Sequence, residues 1–157
     1  MCRVVPGTFN VVGSPGTRDR GGPGRTVIYL DTSVALAQLL SEDRRPPATI
    51  WSEDLVSSRL LEYEMFTRIN ALGLTRSHAE PARRLLGLVS IMEMVPPVLE
   101  RALEPFPVPV RTLDAIHLAS MFFLHDRRQE IQIASYDDRL NQAAESLGFS
   151  QWPDLST

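Results

Sequence analysis

The sequence predicts an α/β protein with a mainly parallel sheet of four to five strands, flanked by helices in a three-layer sandwich. Short runs of β-forming residues alternate with longer segments of helical pattern along the chain. Strand–helix–strand order implies right-handed crossovers and parallel pairing, with helices over both faces. A length of 157 residues with 43% hydrophobic content suits one domain with one core.

The elements follow in order. Residues 1–25 are rich in Gly and Pro, as in GSPGTRDRGGPG, and read as a flexible N-terminal extension outside a folded unit of 26–157. VIYLD (27–31) is the first strand, and TSVALAQLL follows as a helix. PPATIWSED holds a further short helix, and LVSS (55–58) is a second buried strand. RLLEYEMFTRINALG is a helix stopped by Gly73. The next helix covers about 77–88, with Ser77 and Glu80 spaced for a capping box. IMEMV (91–95) is the third strand, VLERAL a short helix and PFPVPV a proline-broken connector. TLDAIHLASMFFLH is a helix with Thr112 as its expected N-cap. IQIAS (131–135) is the fourth strand, and DDRLNQAAESLG is a helix stopped at Gly148.

Composition narrows the function classes. The single cysteine, Cys2, excludes an internal disulfide and a cysteine-built zinc site. No apolar run approaches the roughly 20 residues of a membrane helix, and the N-terminus lacks the apolar stretch of a signal peptide. A cytoplasmic protein without membrane contact is expected. The net charge of −3 argues against a passive nucleic-acid binder, whose affinity comes mostly from neutralising phosphates. It leaves room for a nuclease whose carboxylates are covered by metal ions.

The acids carry the chemistry. In open parallel sheets the functional crevice lies beyond the carboxyl ends of the strands. Asp31 ends the first strand, and Asp137 follows the fourth. Asp114 sits in the first turn of its helix, and Glu64 lies one to two turns into the helix after the second strand. Each comes from a comparable point in a βα unit. Taken singly, Asp31 and Asp137 suit helix caps, Asp114 suits a helix dipole, and Glu64 suits a solvated face with Arg68 four residues on. Together they repel one another, and one or two divalent cations resolve that repulsion. Mg²⁺ or Mn²⁺ would supply activated water for phosphodiester cleavage.

IYLDTSVAL, SSRLLEYEMFTRI, RTLDAIHLAS and ASYDDRL occur in the order and context of PIN-domain proteins of the VapC toxin type. The resemblance covers about residues 27–150. It implies a PIN-like fold, a metal-dependent endoribonuclease acting on transfer, ribosomal or messenger RNA, a VapB-like antitoxin and a homodimer. By position it implies Asp31, Glu64, Asp114 and Asp137 as catalytic metal ligands. Glu62 competes for the second place; helical periodicity does not separate the two, and the family pattern selects Glu64. Ser33 and Ser135 are expected to support the acids, Ser135 standing where the family usually has threonine. Arg111 is a candidate for RNA phosphate, with solvated arginine as its plain alternative. His117 suits packing better than catalysis, and Asp138 suits a solvated first-turn acid. Arg44–Arg45, Arg83–Arg84 and Arg127–Arg128 are candidate RNA-steering pairs. The helices over 60–72 and 77–88 are candidate surfaces for an antitoxin or a second subunit.

Two other classes compete. A catalytically idle PIN-like RNA- or protein-binding module would be expected to lose some of the four acids, and none is lost. A phosphotransfer protein using Asp31 as nucleophile lacks the second aspartate of a DxDxT pattern, and the chain has no lysine to assist.

Overall fold

The computed structural model describes residues 26–41, 43–127 and 129–156. Segment 1–25, expected as a flexible extension, lies outside the described residues, as does Arg128. Five parallel strands form one sheet: β1 (Thr26–Leu30), β2 (Leu55–Ser58), β3 (Ser90–Met92), β4 (Glu130–Ala134) and β5 (Ser150–Gln151). Their order is β3-β2-β1-β4-β5, which puts β1 at the centre.

Six helices connect and cover the strands: α1 (Thr32–Leu40), α2 (Leu60–Ala71), α3 (Thr75–Leu86), α4 (Pro96–Leu103), α5 (Thr112–His125) and α6 (Asp138–Ser146). The alternation of β1 splits the core in two. Ile28 and Leu30 join Val34, Leu61, Met65, Ile69 and Leu85, so α1, α2 and α3 cover one face. Tyr29 joins Leu118, Met121, Ile133, Leu140 and Phe149, so α5 and α6 cover the other. The α4 helix lies along α5. The expected three-layer α/β architecture is present, and the strand lost to sequence reading is β5. It is two exposed polar residues long and carries no alternating pattern.

Two caps differ from expectation. The α3 helix begins at Thr75, and its N-cap Leu74 makes no side-chain cap bond. Gly73, at φ 69°, ends α2 in the left-handed region, and the chain re-enters helix at once. Ser77 therefore falls inside the first turn and donates back to the Leu74 carbonyl, while Glu80 pairs with Arg83 and Arg84. The N-cap of α5 is Arg111 rather than Thr112. The third strand is also shorter than expected, because Pro96 and Pro97 open α4 soon after Met92.

The carboxyl edge is aligned by register. Leu30 pairs with Ala134, and the Asp31 amide donates to the Ala134 carbonyl at 3.0 Å, one residue beyond β1. Asp31 and Ser135 therefore leave the sheet side by side.

Met65 is fully buried between α2 and the sheet. Met65→Ala should cost about 2–5 kcal/mol in urea unfolding. Leu103→Ala, at a side chain 88% exposed, should change stability by no more than about 0.5 kcal/mol. Equal midpoints for the two variants would contradict the packing described.

Candidate active site at the carboxyl edge

Asp31 is the N-cap of α1 in extended conformation. Its Oδ2 accepts from the Ser33 amide at 3.1 Å, the Ser33 hydroxyl at 2.5 Å and the Ser135 hydroxyl at 2.9 Å. Three donors on one oxygen fix the carboxylate and leave Oδ1 on the side of His117, whose Nε2 is 3.9 Å away. The Ser33 hydroxyl also accepts from the Tyr136 amide, and the Ser135 hydroxyl from the Asp137 amide. Two serines thus tie the start of α1 to the loop that enters α6.

Asp137 caps α6, its Oδ1 accepting from the Arg139 and Leu140 amides. Its Oδ2 accepts from Arg111 Nη2 at 2.8 Å, while Arg111 Nε donates to Asp114 Oδ2 at 3.2 Å. A guanidinium therefore spans two of the four acids. Burial has the largest influence on Asp114 and raises its proton affinity. Arg111 opposes it, but Asp137 and Asp31 add to it, and the carboxyl lies above its ordinary value of 3.8. Asp138, beside the cap, is exposed in the first turn of α6.

Glu64 projects from α2 into the same edge. Its Oε2 accepts from Thr32 Oγ1 at 2.5 Å and lies 2.8 Å from His117 Nε2. Burial would raise its proton affinity, but the histidine and threonine hold the carboxyl below 4.5. His117 is buried, and its Nδ1 lies 2.8 Å from the Tyr29 hydroxyl. Burial disfavours the imidazolium, but the Tyr29 oxygen and the carboxylates of Glu64 and Asp31 raise its proton affinity well above 6.5. Glu62 points elsewhere, bonding Arg59 at 2.7 Å. Arg59 also binds Glu93. Of the two candidate glutamates, Glu64 alone joins the other acids' neighbourhood.

The donors suit a hard divalent cation: they are carboxylate oxygens, with no thiolate among them. Among the described residues, no group of three or more His, Cys, Asp or Glu forms a ready-made metal cage. An open site is what Mg²⁺ favours, since it commonly takes one or two carboxylates and keeps several waters. The cation already standing between Asp114 and Asp137 is the guanidinium of Arg111, so this edge already holds positive charge between two carboxylates. On these grounds the residues fit the ion.

Sequence reasoning did not foresee that Arg111 bridges two acids; its i,i+3 spacing to Asp114 was the available signal. Nor did it single out Thr32 or Tyr136, which lie within the quoted motifs.

A family model described as PIN domain matches residues 28–146. Ribonuclease VapC47 of Mycobacterium tuberculosis (strain CDC 1551 / Oshkosh) is 31% identical over 130 residues, covering 78% of this chain and 93% of that protein. Ribonuclease VapC46 of Mycobacterium tuberculosis (strain ATCC 25618 / H37Rv) is 30% identical over 129 residues, covering 78% and 94%. The crystal structure of Mycobacterium tuberculosis VapC20, a Sarcin-Ricin loop cleaving toxin, superimposes with a TM-score of 0.57 at 16% identity, over 80% of this chain and 98% of that one. At that identity the likeness speaks for the fold.

A folded pKa above the unfolded one means that folding favours protonated Asp114. Its ionised form therefore costs stability at neutral pH, and the cost disappears as pH falls through the raised value. Asp114→Asn should melt at a higher temperature than the parent at pH 7 without metal, with the gap closing toward pH 3.8. A lower melting temperature at pH 7 would mean that the Arg111 attraction outweighs burial and repulsion.

Proposed function

The chain belongs to the PIN-domain family as a VapC-type toxin ribonuclease dependent on divalent metal, and we propose that Asp31, Glu64, Asp114 and Asp137 form its metal-binding catalytic centre. The observation that carries this reading is that, at the carboxyl edge of the sheet, Arg111 bridges Asp114 and Asp137 while Asp31 and Glu64 both approach His117. The ion is Mg²⁺, with Mn²⁺ able to replace it. When bound, it supplies activated water and stabilises charge on the phosphate.

The chain's own residues prepare that chemistry. Ser33 and Ser135 hold Asp31 through Oδ2 and keep its other oxygen available. His117 and Thr32 orient Glu64. His117 serves as a positioning residue rather than a general base, because it is buried and its two ring nitrogens face Glu64 and Tyr29. Arg111, 58% exposed, balances Asp114 and Asp137 before substrate arrives. It is then free to turn to an RNA phosphate, where its planar fork suits the oxygens.

The substrate is transfer, ribosomal or messenger RNA, and its cleavage slows translation. A VapB-like antitoxin and a second copy of the chain complete the functional assembly. Tyr63, Leu72 and Leu88, exposed on and just beyond α2 and α3, give those helices apolar area for either contact. Among the described residues no helix is long and apolar enough to cross a membrane, and action in the cytoplasm accords with a translational target.

Cleavage of total RNA and transfer RNA tests this with Mg²⁺, with Mn²⁺ and with EDTA. Discrete fragments should appear only with metal. Glu64→Gln should lower the rate at least about a hundredfold, whereas Glu62→Gln should stay within about threefold, since Glu62 serves a surface ion pair. The reverse ranking would move the second ligand to Glu62. Absence of cleavage by the folded, metal-loaded, antitoxin-free chain would favour a binding module.

A further inference from the structure

Beside the acids, between the loop after α1 and the start of α6, lies a polar cavity of about 630 Å³. Its size falls within the range of small-molecule sites. Arg44, Arg45, Ser135, Tyr136 and Asn141 line it, with Asp43 and Asp138 among its acids. The Arg44 guanidinium lies over the Tyr136 ring, 5.5 Å from its centroid. Tyr136 is held from two sides: its amide donates to Ser33 Oγ, and its ring packs against the core. Asn141 is only 6% exposed. Its Nδ2 donates to the Ser135 carbonyl, but its Oδ1 is buried without a partner among the described residues. An unpaired buried acceptor is costly in a folded protein and calls for an explanation.

The cavity adjoins the candidate acids through Ser135, which lines it and also donates to Asp31. It thus offers, next to the reacting centre, an aromatic face, two guanidinium groups and several hydrogen-bond acceptors. These match the three parts of one nucleotide: a flat base, a phosphate and an exocyclic amine. Bases of unpaired RNA stack on aromatic rings and on arginine planes, whereas bases in a duplex are already stacked and paired.

We propose that this cavity binds one unpaired nucleotide of the RNA substrate, flanking the cleaved bond, with its base stacked on Tyr136 under Arg44. The inference rests on the ribonuclease reading and adds to it the element that chooses the site of cleavage. Arg44 is exposed and lifts to cover the outer face of the base, while Arg45 meets the adjacent phosphate. The Asp43 and Asp138 carboxylates, both exposed in the lining, favour a base that presents an exocyclic amine. Adenine and cytosine are therefore preferred to uracil.

Binding is measured in an Asp114→Asn background, so that cleavage plays no part. The probes are single-stranded decamers of adenylate, cytidylate and uridylate, and an adenylate decamer carrying 2-aminopurine. Oligoadenylate and oligocytidylate should bind more tightly than oligouridylate, and 2-aminopurine fluorescence should be quenched on binding. Tyr136→Leu should weaken oligoadenylate binding roughly tenfold and abolish the quench, while Tyr136→Phe keeps both. Arg44→Ala, at an exposed position, should weaken binding with an unchanged melting temperature. Parental affinity and quench in folded Tyr136→Leu and Arg44→Ala would overturn the proposal, and equal affinity for oligouridylate would overturn the amine preference. Failure of the unsubstituted chain to cleave RNA would instead count against the ribonuclease reading and leave these binding results standing.

Discussion

The register of β1 against β4 is the constraint on which the rest depends. Five consecutive parallel pairs, ending at Leu30 with Ala134, bring the two strands to the same edge together. Slipping that pairing by one residue would turn Tyr29 and Ile28 to the wrong faces. It would also separate Asp31 from Ser135. The hydrophobic alternation that builds two core layers and the hydroxyl that steadies the first acid are consequences of one alignment.

That alignment gathers like charges, and the chain compensates in three ways. Asp31 is satisfied by a backbone amide and two serine hydroxyls. Asp114 and Asp137 share Arg111. Glu64 is held by His117 and Thr32. Each acid thus has a partner among the chain's own groups, one of them shared, and these partners offset the repulsion at the edge. Proton affinity remains raised at Asp114, where burial and two neighbouring carboxylates outweigh the arginine. Ionised Asp114 therefore costs the fold stability at neutral pH.

Much of this was legible in the sequence because the β-rich runs and helical segments are short, regular and punctuated by Gly and Pro. Gly73 and Gly148 mark helix ends, and both have positive φ. The four acids could be placed at one edge because the order of strands and helices already fixes where parallel strands end. The side-chain partners were less legible. Arg111 reads as an ordinary arginine until the fold brings Asp137, 26 residues away, into its reach. His117 reads as a helix residue until Tyr29 and Glu64 close around it. The N-caps of α3 and α5 were misplaced by three residues and one, because Ser77 and Thr112 match capping patterns that the backbone does not use. The strand Ser150–Gln151 owes its place to β4 and the buried Trp152, not to its own composition.

The Tyr29–His117–Glu64–Thr32 chain of hydrogen bonds has a mechanical meaning. Tyr29 and His117 belong to the layer of α5, whereas Glu64 and Thr32 belong to α2 and α1 on the opposite face. Hydrocarbon layers on two sides of a sheet can breathe independently, since dispersion contacts loosen gradually. A buried polar stitch around the sheet edge does not loosen gradually, because opening it strands unpaired groups away from water. The stitch makes the two layers one cooperative unit at the carboxyl edge of the sheet. Amide hydrogens of α2 and α5 near that edge should therefore exchange by a shared opening, and a loosened core would blunt the enzyme before it unfolds it.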